Sequence, residues 1–454
     1  MTEPLHHPHE SPSNAIRDGI ALYEPRTLRT YTPTQAVIAR SAGVFHWTPE
    51  GRRLYDFTSG VLVANLGHNP RSWMRRFMRH MNWSEFDAAG DYSPALPLTA
   101  YNAATPVEIE ATRRLIELLQ GRPGGQRLQQ VLWAASGSEA IQKALWAALA
   151  RERSRDMILA TRYGFHGKKG LAGAVTGCES DHDRDPRVRF LAFPMSECAD
   201  ICQRGQAFDV APYRRELDSL LHQFGRRLSV LITEPYLGGG GSYHPPASYL
   251  QMLQAFCREH DLVFILDEVQ ANFGRTGELF AFETYGLEPD IVVLGKGLGN
   301  GVPVAAAIGR AEVFASLDYG EGSDTWSANP LSCAAVLATL EEFAASDILE
   351  HSRRVSTILE DGLSRLKQLP FIAHVRGEKG GMVWGIEFHD HAGRGAAEWA
   401  NAAILACYQG DGAHGDGIHL LGPLARNVVR IAPPLVISES QARTVMDLMG
   451  RLLT

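Results

Sequence analysis

Two apolar runs in this chain each end at a single charged side chain. Val263-Phe264-Ile265-Leu266 stops at Asp267, and Ile291-Val292-Val293-Leu294 stops at Gly295-Lys296-Gly297. Short, wholly apolar runs read as strands covered on both faces, so the carboxylate and the amine stand where two buried strands emerge. A lysine there is costly unless it is paired or covalently engaged. A third stretch, Ser136-Gly137-Ser138-Glu139-Ala140, joins the apolar run 131 to 135 to a helical segment. Its small residues would leave backbone N–H groups and the positive end of a helix facing an anion. Taken alone, the same stretch is a helix cap with Glu139 serving the first turn. Taken together, an anion site, a carboxylate and an amine suit amine–carbonyl chemistry on a phosphorylated molecule.

The elements that must position these groups follow from the hydrophobic pattern. Runs at 131 to 135, 157 to 161, 188 to 193, 229 to 233, 263 to 266 and 291 to 294 read as strands. Helical stretches such as SEAIQKALWAALARE and ASYLQMLQAFCREH fall among them. Such alternation predicts an α/β domain with a mostly parallel central sheet. Upstream, residues 1 to about 30 read as an extended arm. Segments 36 to 39, 44 to 47 and 54 to 57 follow as strands around the turn Pro49-Glu50-Gly51. Beyond 331 the pattern becomes helices near 331 to 345 and 350 to 368, the runs MVWGIEF and NVVRIAPP, and a closing helix from about 438. That predicts a smaller α+β domain built from both chain ends: 1–65 as arm and part of the small domain, 66–330 as the large domain, 331–454 as the remainder. Ligands of open parallel sheets bind beyond the carboxyl ends of the strands, so Asp267 and Lys296 should face one site.

These are the requirements of pyridoxal 5'-phosphate. Lys296 would form a Schiff base with its aldehyde, with flanking glycines letting the backbone pass close. Asp267 would keep the pyridine nitrogen protonated, making the ring an electron sink. At this point the chain resembles the class III, or ω-aminotransferase-like, pyridoxal-phosphate enzymes of fold type I. The motifs SGSEA, FHG, ITEP, LDEVQ, FGRTG and GKG occur in the expected order over nearly the whole chain. The resemblance implies that Gly137 and Ser138 hold the phosphate, and that Phe165 stacks on the ring with His166 beside it. It puts Glu234 near the pocket, Val269 on the opposite ring face and Gln270 at the phenolic oxygen. It makes Lys296 and Asp267 the catalytic pair. In TWSANPL, Thr325 would reach the phosphate of the neighbouring subunit's cofactor, which implies a homodimer. In VVRIAPP, Arg430 would bind a substrate carboxylate. The implied reaction passes an amino group from an amino acid or ω-amine donor to a keto acid.

Two departures bear on specificity. Members using ornithine or 4-aminobutyrate carry a second glutamate after the EP dipeptide, and the matching position here is Gly239. Related dialkylglycine decarboxylases place a glutamine just after a segment like DFTSG, where this chain has Val61-Leu62. A decarboxylase or amine-lyase on the same fold is the alternative. A dinucleotide-binding reading of GKGLGNG fails, because the third glycine of the fingerprint falls on Asn300. A net charge of -7 gives no footprint for nucleic acid. No stretch is long and apolar enough for a membrane span, and no apolar leader opens the chain. Six cysteines without a CxxC pair argue against a disulfide framework or a zinc site. His6, His7 and His9 read as part of a polar tail, no metal is expected, and a cytoplasmic setting fits.

Overall fold

The computed structural model describes residues 4–83, 91–181, 184–412 and 415–454. It divides into two compact units: Arg71–Cys198 with Cys202–Asp347, and Met1–Pro70 with Ala199–Ile201 and Ile348–Thr454.

The larger unit is built on a seven-stranded sheet. Its spatial order is Gln130–Ala134, Ala305–Gly309, Ile291–Leu294, Val263–Asp267, Leu228–Thr233, Met157–Thr161, Val188–Leu191. Every pairing is parallel except those of Ala305–Gly309, which runs antiparallel to both neighbours. The expected mostly parallel α/β sheet is therefore present, with one strand more than the hydrophobic pattern marked. That strand reads AAAIG, and alanine is a weak strand former. Small side chains are nonetheless what the position needs. Helix Gly137–Ala150 presses Ala140, Ile141, Ala144, Leu145, Ala147 and Ala148 onto this face of the sheet, against Ile158, Val230, Ile265, Val293, Ala305 and Ala307. Each buried isoleucine or valine there contributes about 1.5–3 kcal/mol, and enlarging Ala144 to leucine would overpack the layer at a cost of roughly 1–3 kcal/mol.

The smaller unit holds two sheets. One orders Arg40–Ala42, Phe45–Trp47, Arg53–Asp56 and Gly417–His419, and the other Ile372–Gly377, Trp384–Phe388 and Val428–Ile431. Strands thus come from both chain ends. Two expectations need correction. The strand expected at 36 to 39 lies instead at Arg40–Ala42, in register with Phe45–Trp47. The expected extended arm contains a helix, Ser11–Tyr23. Its Pro12 lies in the first turn, where a missing N–H costs nothing. Arg17 is buried and donates to Glu10 at 2.7 Å, while Arg52 reaches the other Glu10 oxygen at 2.9 Å. The histidines expected in a polar tail are likewise tied down: His7 Nε2 lies 2.7 Å from the Thr34 carbonyl, and His6 pairs with Asp18.

Candidate active site

Asp267 closes strand Val263–Asp267, opposite Val293 of the neighbouring parallel strand. Lys296 follows three residues beyond Val293, so the two groups emerge from adjacent strands at the same sheet end. Lys296 adopts φ 47° between its glycines, a left-handed conformation that costs a non-glycine residue roughly 1–2 kcal/mol. Strain of that kind concentrates at functional positions.

Asp267 is buried and braced on both oxygens. Oδ2 lies 2.7 Å from His166 Nδ1, and Oδ1 accepts the Val269 N–H at 3.0 Å. A carboxylate has about four acceptor positions, so capacity remains for a further cationic N–H. Beside it, Glu234 accepts the Phe165 N–H at 2.9 Å and the Gly238 N–H at 3.3 Å. Burial pushes the Glu234 carboxyl up to about 7, against the pull of His166 and with the repulsion of Asp267 adding to the rise. The following residue, Glu268, has a structural task. It accepts the Ala281 and Phe282 N–H groups at 2.6 and 2.7 Å, starting the short helix Ala281–Tyr285.

The Ser136–Glu139 stretch is both of the things its sequence allows. A capping box is present: Ser136 Oγ accepts the Glu139 N–H, and Glu139 accepts the Ala135 and Ser136 N–H groups at 3.0 Å. Because the cap uses residues 136 and 139, the amides of Gly137 and Ser138 at the start of the helix are left for an anion. Val269 packs against this turn from one side and against Gly295 from the other. A Cβ at Gly137 would stand 3.1 Å from Val269, and one at Gly295 would stand 3.3 Å from it. The helix start, the Asp267 strand and the Lys296 turn are therefore joined through a single side chain.

Two buried polar atoms in this group, His166 Nε2 and Gln270 Oε1, have no hydrogen-bond partner among the described residues. Unsatisfied buried groups of this kind call for a ligand, and an aromatic heterocycle with a phenolic oxygen and a phosphate fits the donors and acceptors present. Phe165 is 41% exposed, its Cβ near Gly239, where an added Cβ would come within 3.0 Å.

Thr325 is exposed in a turn whose geometry is set from below. Asp324 Oδ1 accepts the Trp326 and Ser327 N–H groups at 2.9 and 2.8 Å. Its other oxygen receives Lys143 Nζ at 2.7 Å, and the same buried ammonium donates to Ser327 Oγ and to the Trp133 carbonyl. Lys143 is a residue that sequence reasoning did not single out. Its only signal was a lysine on the apolar face of a helix. Arg430 lies in the other unit, buried in strand Val428–Ile431 opposite Gly385.

Residues 27–453 match the class III aminotransferase family. The acetylornithine aminotransferase of Oceanobacillus iheyensis is 27% identical over 428 residues, 91% of this chain and 92% of that protein. The omega-aminotransferase of Caulobacter vibrioides is 28% identical over 443 residues, 92% of this chain and 93% of its own length. Among solved structures, the ornithine aminotransferase of Toxoplasma gondii superposes with a TM-score of 0.80 at 23% identity, over 97% of this chain and 94% of that one. Relatives named as aminotransferases favour transamination over the decarboxylase or amine-lyase alternative. With a family match over nearly its whole length and the fold type I architecture to support it, the chain belongs to the class III aminotransferases and is a pyridoxal-phosphate-dependent transaminase.

Proposed function

We propose that the strand-end group of the larger unit holds the cofactor, with Lys296 as the catalytic amine. The observation that carries this reading is the buried Asp267 carboxylate, braced by His166 and the Val269 N–H on the strand adjoining Lys296. In this assignment the Gly137 and Ser138 amides receive the phosphate, Phe165 and Val269 cover the two ring faces, and Gln270 meets the phenolic oxygen. Bound pyridoxal phosphate supplies an aldehyde that condenses with amines and a ring that draws electrons from the carbon bonded to the nitrogen. Asp267 would accept a hydrogen bond from the ring N–H and so maintain that withdrawal. Lys296 would move the proton from the donor carbon and return it, acting as base and then as acid. Glu234, whose carboxyl is pushed up to about 7, holds a proton beside Asp267 without adding a second full negative charge at neutral pH.

Relatives named for acetylornithine, ornithine and 4-aminobutyrate support a donor whose amino group lies away from its carboxylate. Arg430 is assigned by its motif match to that carboxylate, through a bidentate pair. The second glutamate that the family resemblance gives to users of ornithine or 4-aminobutyrate is Gly239 here, and Phe165 crowds that position. The active unit is a homodimer in which Thr325 of each chain completes the partner's phosphate site. The setting is cytoplasmic, and among the described residues no helix is long and apolar enough to cross a membrane.

Half-reaction rates against a donor series, followed by the cofactor absorbance, test the substrate reading. Carboxylate-bearing ω-amines should outpace plain alkylamines, and Arg430→Ala should abolish the preference. Fastest conversion by plain amines, with carboxylate donors indifferent to Arg430→Ala, would overturn it. Light scattering tests assembly: a fully active monomer would contradict the role of Thr325.

A further inference from the structure

The smaller unit brings a second set of titratable side chains together. Strand register places four residues on one sheet face. Ser41 lies opposite His46, and His46 opposite Leu54. Asp56, two residues beyond Leu54, lies opposite His419. Opposed residues on paired strands share a face, as do residues two apart. His68 arrives from the following loop, where it bridges to Gly43. His68 Nε2 lies 2.7 Å from Asp56 Oδ2, and His46 Nε2 lies 3.5 Å from the same oxygen. One ligand atom from each of the three residues lies within 4.8 Å of the other two.

We propose that His46, Asp56 and His68 form a binding site for a divalent ion of the zinc class. Imidazole nitrogen and carboxylate oxygen are the donors such ions select, and the other end of two of these ligands is already held. His46 Nδ1 is 2.7 Å from Ser41 Oγ, and a proton on Nδ1 leaves the Nε2 lone pair for a metal. Asp56 Oδ1 accepts from the Thr58 N–H, the Thr58 hydroxyl and the Ser59 N–H at 2.8, 2.7 and 3.1 Å, which leaves Oδ2 to the imidazoles. An independent observation comes from His419. Its ring stands edge-on to that of His46 with centroids 5.4 Å apart, and its Nδ1 is buried with no hydrogen-bond partner among the described residues. One carboxylate among three imidazoles exceeds what a simple histidine–aspartate hydrogen bond requires. Ligands about 2.0–2.1 Å from a tetrahedral ion stand roughly 3.3 Å apart, so closure asks the three ligand atoms, now within 4.8 Å of one another, to settle to that spacing, with His68 moving on its loop. Water fills the fourth position. Because Asp56 also caps the turn in which Ser59, Val61 and Leu62 adopt positive φ, a bound ion would stiffen that strained segment.

The test uses the cofactor-loaded full chain, stripped with a chelator, exchanged into metal-free buffer and titrated with Co2+ and then Zn2+. Visible absorption of Co2+ and the melting temperature are followed. One Co2+ per chain should bind with a tetrahedral spectrum, Zn2+ should displace it, and the melting temperature should rise. His46→Leu and His68→Leu should each weaken binding more than about a hundredfold, and Ser41→Ala about tenfold. Ser41→Ala keeps both imidazoles, so it tests the site even where a histidine variant folds poorly. The pair His6→Ala and His9→Ala should change nothing. Absence of a stoichiometric ion would overturn the proposal and leave a hydrogen-bonded cluster only. So would a Co2+ spectrum that survives both histidine variants, which would put the ion elsewhere, the cofactor included.

Discussion

Replacing His166 probes how the ring-facing carboxylate is held. His166 and Asp267 are both buried, and their 2.7 Å contact joins an imidazole N–H to a carboxylate. A hydrogen bond to a charged group contributes about 1.5–3 kcal/mol, and every 1.4 kcal/mol is a factor of about ten. His166→Ala leaves Asp267 with the Val269 N–H alone, so cofactor affinity should fall roughly tenfold to a hundredfold. The proton-transfer half-reaction should slow as the carboxylate loses its aim. Asparagine carries an amide N–H near the place of Nδ1, so His166→Asn should recover most of the loss, whereas His166→Ala should not. Cofactor dissociation constants from absorbance titration and single-turnover rates with a saturating donor decide the matter. If His166→Ala binds cofactor and turns over within about twofold of wild type, or if alanine and asparagine behave alike, the bracing argument is wrong.

Asp267→Asn should retain cofactor yet lose orders of magnitude in the half-reaction, because a neutral ring nitrogen is a poorer sink; near-normal single-turnover rates would count against it. Glu234 has a folded pKa of about 7, above its ordinary 4.5. The stability it contributes is therefore full below about 4.5 and lost as pH rises through 7. Glu234→Gln should remove this dependence, gaining up to roughly 3 kcal/mol on wild type between pH 5 and 8 in denaturant titrations. A difference independent of pH would refute the burial argument. Lys143→Met should lower stability by roughly 1–3 kcal/mol, less than for a wholly buried pair because Asp324 is partly exposed. Adding Asp324→Asn should restore part of that loss, and strictly additive effects would show that the ammonium does not organise the Thr325 turn.

Legibility in the sequence followed locality. Strand ends at Asp267 and Lys296, the capping box at Ser136 and the alternation of strands and helices each depend on neighbours within a few residues, and each is present. The Ala305–Gly309 strand escaped because its alanines answer to the helix packed on them rather than to strand propensity. The Ser11–Tyr23 helix escaped because Pro12 reads as a break unless one knows it lies in the first turn, and because the partner that buries Arg17, Glu10, lies outside the helix. The bracing of Asp267 by His166 spans 101 residues, and the tie from Lys143 to Asp324 spans 181. No periodicity encodes such pairs. The same holds for His46, Asp56 and His68, which share no motif and meet only through strand register and a loop.

The most direct test of the account is to find which amine carries the cofactor. The chain has only six lysines, 143, 168, 169, 296, 367 and 379, so borohydride reduction of the cofactor-loaded protein followed by peptide mapping gives an unambiguous answer. A pyridoxyl group should appear on Lys296 alone, and none should appear in the Lys296→Ala protein. A label on Lys143 or any other lysine of the wild-type protein would contradict it.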